Sequence, residues 1–170
     1  MTDADAADAR PRAHADADRA AGADAGGGAD AVGGTGSGPH LRRTNPPELS
    51  PPTGFSHAVT ATGSRVVFLA GQTALDTEGA VVGATITEQF ERALANLLTA
   101  LSASGGTPAD LTRVTVYTTD VAAYRAVARD LGAVWRRNAG RDYPAMAVIG
   151  VSRLWDEEAL VELDGIAVLP

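Results

Sequence analysis

Two apolar stripes at helical spacing constrain the fold of this chain more than any other feature of its sequence. One follows Thr85, which stands three residues before Glu88 as in a capping box, and the other follows Asp120, a favourable helix-capping residue. The first stripe consists of Phe90, Ala93, Leu94, Leu97, Leu98 and Leu101, and the second of Val121, Tyr124, Val127, Ala128, Leu131, Val134 and Trp135. Each predicted helix therefore has one apolar face that must be buried against another layer.

Short segments with the composition of β-strands provide that layer. We predict strands over residues 57–61, 65–70, 111–119, 147–151 and 160–168. The sequence Thr62-Gly63-Ser64 between the first two strands is typical of a hairpin turn. The order β-β-α-β-α-β-β predicts an α+β domain with one mixed sheet and two helices on one face. Because one chain of this size has nothing further to cover the other face, we expect an oligomer.

The first 40 residues differ in composition from the rest of the chain. Alanine, glycine and aspartate account for 28 of them, and Met1 and Val32 are their only larger apolar side chains. Such a segment cannot bury enough apolar surface to offset the entropy of ordering it, so we predict that residues 1–40 are a disordered tail. Residues 41–54 contain four prolines and are predicted to form an extended lead-in to a domain over residues 55–170.

Charge and composition argue against several classes of function. The chain has 14 arginines, no lysine and 21 acidic residues, for a net charge of -7, which disfavours binding to nucleic acid or to an anionic membrane. The absence of cysteine excludes thiolate metal sites and cysteine nucleophiles. No apolar run approaches the roughly 20 residues of a membrane span, and the N-terminus lacks a secretory apolar stretch, so we expect a cytoplasmic protein. We expect neither a metal nor a cofactor.

Three features of the domain could carry chemistry. Glu162 and Asp164 stand two residues apart on a predicted strand, so they share a face and could form a carboxylate pair with one raised pKa. A solvated strand face explains the same spacing. His57 could be a proton shuttle or an ordinary strand histidine, and Arg153 could bind an anionic ligand or pack on Trp155. None of these features decides the function by itself.

Five short sequence motifs spread over the domain match one known family. They are Gly71-Gln72 after a strand, the strand end at residues 115–120, Tyr143-Pro144-Ala145, Arg153-Leu154 and the closing residues 161–168. Because of these motifs, residues 50–170 resemble the reactive intermediate deaminase family, also called RidA or YjgF. The resemblance implies a chorismate-mutase-like fold and a homotrimer whose sheets form a central barrel, with clefts between subunits. It also implies hydrolysis of 2-imino or enamine acids to 2-keto acids and ammonia without a cofactor.

The same resemblance assigns residues to the cleft, and several of them depart from the family pattern. Glu162 keeps the position that the resemblance implies for positioning the attacking water. Met146 replaces an arginine that grips the substrate carboxylate, and methionine cannot donate those hydrogen bonds. Ala70 replaces a serine, and Phe55 replaces a tyrosine. The expected substrate-binding residues are Phe55, Ala70, Gly71, Met146, Arg153 and Trp155, with Glu162 as the catalytic residue.

These replacements run from polar to apolar and shape the expected function. They predict a cleft that takes a neutral or apolar small molecule and that raises the pKa of Glu162 by desolvation. We therefore expect a divergent enzyme acting on a small imine, enamine or enol-type metabolite, with Glu162 as the acid/base or water-positioning group. Two alternatives stay open: a non-catalytic trimeric small-molecule-binding protein, and a 2-imino acid deaminase in which Arg153 replaces the lost arginine.

Overall fold

A four-stranded mixed sheet with helices packed on one face organises residues 40–170, the part of the chain that this computed structural model describes. The strands are β1 (Leu41–Thr44), β2 (Ala58–Ala61), β3 (Arg65–Gln72), β4 (Leu111–Thr118), β5 (Ala145–Gly150) and β6 (Val161–Leu169). The helices are α1 (Ile86–Ala103), α2 (Val121–Ala126) and α3 (Ala128–Ala139), with a short 3₁₀ turn at Pro108–Asp110. The strand order is β3-β6-β4-β5, with β6 antiparallel to both neighbours and β5 parallel to β4. The predicted α+β class is confirmed.

Helix α1 forms where its capping residues and apolar stripe place it. The Thr85 hydroxyl accepts a hydrogen bond from the Glu88 backbone at 3.3 Å, and the Glu88 carboxylate accepts one from the Thr85 backbone at 3.0 Å. These two bonds satisfy backbone donors that the first turn would otherwise leave free. The stripe is buried against the sheet at Phe90, Ala93, Leu94, Leu97 and Leu101.

The second predicted helix is divided in two. Asp120 caps α2 as expected, because its carboxylate accepts a hydrogen bond from the Ala123 backbone at 2.9 Å. Val127, with φ of -104° and ψ of 16°, then interrupts the helix before α3 begins. The apolar spacing continues across this interruption, and Val134 and Trp135 are buried on α3. Hydrophobic periodicity therefore could not detect the break.

The predicted hairpin at residues 62–64 is wrong, and the predicted single sheet is incomplete. Strand β2 pairs with β1 in a separate two-stranded sheet, whereas β3 pairs with β6. The connecting segment runs between the two sheets, since Thr62 donates a backbone hydrogen bond to His40 and Ser64 donates one to Leu169. A backbone bridge between Ser56 and Ala145 links the approach to β2 with β5.

The predicted tail lies outside the described residues except for its last member, His40. Its Nε2 atom lies 2.8 Å from Asp110 Oδ1 and 3.0 Å from the carbonyl oxygen of Val168. Residues 41–44, at the start of the predicted lead-in, form β1. Within residues 40–170, none of the helices combines the length and apolar character that crossing a membrane requires.

The two faces of the sheet differ in what they contact, and β6 shows the difference residue by residue. Its alternate side chains from Val161 to Leu169 are buried toward the helices, whereas those between them are half-buried on the outer face. Val66 and Phe68 on the neighbouring strand β3 are 56% and 77% exposed. The outer face thus has an apolar end and, around Glu162 and Asp164, an acidic end.

Candidate functional site

A cleft of about 600 Å³ opens at the acidic end of the outer face. Strands β3, β4 and β6 supply its floor, and the segment between β5 and β6 supplies its rim. Its lining residues are Gly71, Tyr117, Val151, Arg153, Leu154, Trp155, Glu162 and Asp164. Four of the seven predicted site residues therefore meet in one cleft: Gly71, Arg153, Trp155 and Glu162.

Glu162 lies directly against the backbone of β3 at Gly71. Strand β3 carries one extra residue between its pairings Leu69–Gly165 and Gln72–Leu163, as in a β-bulge. A Cβ atom at position 71 would fall on Oε1 of Glu162. Glycine at this position leaves free the space that the carboxylate occupies, and its φ is not positive, so the backbone conformation does not demand it.

Two carboxylates and a phenol form the polar floor of the cleft. Glu162 and Asp164 share the outer face of β6, as their spacing predicts. Tyr117 lies opposite Glu162 in the β4–β6 pairing, and its hydroxyl donates a hydrogen bond to Asp164 Oδ2 at 2.9 Å. That hydrogen bond is the main reason why the pKa of Tyr117 is raised, because ionisation of the phenol would break it beside a negative charge.

The environment of Glu162 favours its protonated form. Desolvation is the largest cause that raises the pKa of Glu162, and the negative charges of Asp164 and Asp156 raise it further. The direction agrees with the sequence-based expectations, which named both desolvation and the carboxylate of Asp164 as causes; Asp156 is the contributor that they lacked. A carboxyl group with a raised pKa can both donate and accept a proton closer to neutral pH.

The rim of the cleft supplies one positive charge and one large aromatic side chain. Arg153 is exposed, and among the described residues it has no ion-pair partner. Trp155 is 93% exposed, although its neighbour Leu154 is buried. An exposed guanidinium and an open indole face at the mouth of a cleft can bind, respectively, a carboxylate and an apolar or cationic part of a ligand.

Three predicted site residues do not line the cleft that a single chain forms. Met146 pairs with Val114 and packs against the core on the helix side of the sheet. Phe55 contacts His57 edge to face, with ring centroids 5.0 Å apart, and Ala70 is exposed beside the bulge. Their assignment concerns a cleft between subunits and stays a prediction.

The character of the cleft within one chain differs from the expectation. The sequence predicted an apolar pocket around one acid, whereas Asp164, Tyr117 and Arg153 bring further polar groups into this cleft beside its apolar lining. The side chain of His57 lies 2.9 Å from the Ser50 carbonyl oxygen and outside the cleft lining, and the residue comes just before β2 rather than within it. Within the described part of the chain, no group of three potential ligands is arranged to hold a metal ion.

Tyr117 is the functional candidate that the sequence analysis missed. Its alternation with the buried residues Val114 and Val116 places it on the outer face of β4, and that signal was available. Its position opposite Glu162 depends on the register between two strands more than 40 residues apart in the sequence. Strand register of this kind is set by tertiary packing.

The fold and the site together define a class of small α+β proteins. Its members have a mixed sheet with helices on one face and a carboxylate cleft at a bulged edge strand. Comparison with known proteins identifies the family within this class. Residues 46–169 match the family model described as endoribonuclease L-PSP. A RutC family protein of Pyrococcus abyssi is 32% identical over 102 residues, which are 59% of this chain and 76% of that protein. The chain belongs to the RidA/YjgF family, as its sequence motifs indicated.

Solved structures of this family share the fold. The crystal structure of a Rid family protein of unknown function from Yersinia pestis matches with a TM-score of 0.70 and 34% identity, over 76% of this chain and 99% of that one. The structure of RidA from an Antarctic Psychrobacter bacterium matches with a TM-score of 0.54 and 25% identity, over 75% of this chain and all of that one (100%).

Proposed function

We propose that this chain is a cofactor-independent hydrolase of a small imine or enamine, and that Glu162 exchanges protons with the substrate and with water. The observation that carries the proposal is the Glu162 carboxylate seated against Gly71 in the cleft, where desolvation and two neighbouring carboxylates raise its pKa. Family membership supports the class of reaction, and the cleft supports the identity of the proton-exchanging group.

The proposed reaction adds water across a C=N bond and then breaks the C–N bond. Ionised Glu162 accepts a proton from water while the water oxygen bonds to the imine carbon. Protonated Glu162 passes that proton to the imine nitrogen, which gives a carbinolamine. Glu162 then transfers the remaining hydroxyl proton to the nitrogen, so that the C–N bond breaks, ammonia leaves and the carbon becomes a carbonyl. An enamine first accepts a proton on carbon from protonated Glu162, which converts it to the iminium form. Both protonation states are needed, and a raised pKa makes both accessible.

The position of Arg153 supports a second candidate, a 2-imino acid deaminase. Arg153 lines the same cleft as Glu162, whereas Met146 packs on the other side of the sheet. A guanidinium can pair bidentately with a substrate carboxylate, which a neutral imine lacks. The two candidates share the reaction and differ in the charge of the substrate.

We also propose that the protein is a cytoplasmic homotrimer, and the outer face of the sheet supports this assembly. The exposed side chains of Val66 and Phe68 continue into Val168 and Ile166, their partners in the β3–β6 pairing. Exposed apolar patches of this kind mark interaction surfaces.

The test is hydrolysis of imines by the full chain. A 2-imino acid is generated in place by oxidation of an amino acid, a neutral imine is added separately, and ammonia release above the uncatalysed rate is measured. We expect Glu162→Gln to lower the rate about 10²- to 10⁴-fold. The matched control is Glu158→Gln, at an exposed glutamate in the connection just before β6 that does not line the cleft.

The same assay separates the candidates. If Arg153 binds the substrate carboxylate, Arg153→Ala weakens binding of the 2-imino acid about tenfold to a hundredfold and leaves the neutral imine unaffected. A native protein that binds these compounds but does not accelerate their hydrolysis is a binding protein, and the proposed function is then wrong.

A further inference from the structure

Tyr117 and Asp164 form a hydrogen-bonded pair beside Glu162, and the proposed proton exchange uses neither of them directly. Tyr117 lies opposite Glu162 across the β4–β6 pairing, yet its hydroxyl reaches diagonally to Asp164 Oδ2 at 2.9 Å. Asp164 and Glu162 are two residues apart on β6, which places them about 6.6 Å from each other along the strand. The diagonal hydrogen bond therefore determines where the second carboxylate lies relative to the first.

We propose that Tyr117 and Asp164 are positioning residues, which hold a fixed negative charge beside Glu162 and thereby make Glu162 the proton donor of the cleft. A phenol donates to a carboxylate oxygen and restrains its rotation, so the charge of Asp164 stays on the cleft side of β6. The role of this pair in hydrolysis rests on the proposed function, but the coupling between the two carboxylates does not.

The other elements packed around Glu162 supply charges of both signs. The segment after β5 contributes Asp156, which accepts a hydrogen bond from the Thr73 hydroxyl at 3.4 Å, and also Arg153. Asp156 acts on Glu162 in the same sense as Asp164. Arg153 lines the same cleft, and its positive charge would act in the opposite sense on any carboxylate close to it. Strand β3 contributes Gly71, which has no charge.

Asp164 is the neighbouring charge whose position the fold restrains best. It is carried by the same strand as Glu162 and is tied to the adjacent strand through Tyr117, whereas Asp156 and Arg153 lie on the segment that connects β5 and β6. Removing the charge of Asp164 should lower the pKa of Glu162 only part of the way, because desolvation is the larger cause of its shift.

The experiment is a carboxyl titration of the full chain by NMR. The protein is labelled with ¹³C at glutamate side-chain carboxyls, and the Glu162 signal is identified by its absence in Glu162→Gln. Asp164→Asn should lower the Glu162 titration midpoint by about half a pH unit to one unit, as expected for a unit charge at this separation in a partly solvated site. Tyr117→Phe, which frees Asp164 to turn toward solvent, should lower it by less.

Matched controls remove the same groups elsewhere. Asp130→Asn removes a carboxylate from the exposed first turn of α3, and Tyr124→Phe removes a phenol hydroxyl from α2. Neither change should move the Glu162 midpoint. If Asp164→Asn fails to fold, Tyr117→Phe carries the test, since it removes only one hydroxyl.

The outcomes keep this inference separate from the proposed function. A Glu162 midpoint that is the same in native protein, Tyr117→Phe and any folded Asp164→Asn overturns the inference, even if Glu162→Gln abolishes hydrolysis. A midpoint that shifts as expected supports it, even if the native protein hydrolyses no imine and the proposed function fails. In an active protein, the limb of the pH–rate profile that belongs to Glu162 should move toward acid by the same amount as the midpoint.

Discussion

Position 71 offers a way to displace the Glu162 carboxylate without touching Glu162 itself. In Gly71→Ala the new Cβ atom would fall on Oε1 of Glu162 and close to its Cδ, so the carboxylate must move aside. Gly71 is not among the glycines that have a positive φ, so alanine introduces no backbone strain there. The substitution therefore tests where the carboxylate must lie.

The expected effects on stability and on activity differ in size. The displaced atoms are the end of a flexible side chain, so the folded state pays at most about 1 kcal/mol for a changed rotamer. Reduced freedom of the unfolded chain offsets this cost by about 0.4–1 kcal/mol. We therefore expect a change in Tm of no more than about 4 °C in a folded part of this size. Hydrolysis should fall about 10²-fold, because a misplacement of about 1 Å has that effect on a reacting group.

The measurements are thermal unfolding by circular dichroism and imine hydrolysis by the full chain. Gly132→Ala is the control, because its Cβ would have room in α3, with the nearest atom, Arg136 Nη1, 3.4 Å away. It should stabilise the protein by up to about 1 kcal/mol and leave the rate unchanged. Native activity in Gly71→Ala would refute the requirement for the carboxylate at this place, and collapse of the fold would show that Gly71 is needed for structure.

Further predictions concern assembly, the missing arginine, charge and the tail. Phe68→Asp should convert the proposed trimer to monomers in light scattering, whereas Leu49→Asp, at another exposed apolar residue, should not. If Met146 faces a cleft between subunits, as the family resemblance implies, Met146→Arg should raise hydrolysis of 2-imino acids, and the gain should disappear when Glu162→Gln is added. If it only packs against the core of its own chain, Met146→Arg should lower the Tm without any gain in hydrolysis. Because the pKa of Glu162 is raised in the folded state, its ionisation opposes folding. The Tm of native protein relative to Glu162→Gln should therefore fall as the pH rises from 4 toward 7. Deleting residues 1–39 should leave the Tm within about two degrees.

Local patterns in the sequence determined most elements of this fold, although not β1 or the break between α2 and α3. The spacing from Thr85 to Leu101 predicted α1 together with its cap, because both depend on residues three and four positions apart. The two-residue spacing of Glu162 and Asp164 likewise predicted that they share a face, since side chains alternate along any strand. Family membership was also predictable, because it depends on short motifs of consecutive residues, which can be recognised without the structure.

Tertiary structure decided which of these elements meet. The pairing of β2 with β1 and of β3 with β6 joins segments whose strand character says nothing about their partners, and it replaced the predicted hairpin. The bulge that seats Glu162 on Gly71 and the register that places Tyr117 beside it arise in the same way. Register is selected by the packing of the whole sheet against the helices, so residues far apart in the sequence became neighbours in the cleft only once the core had formed.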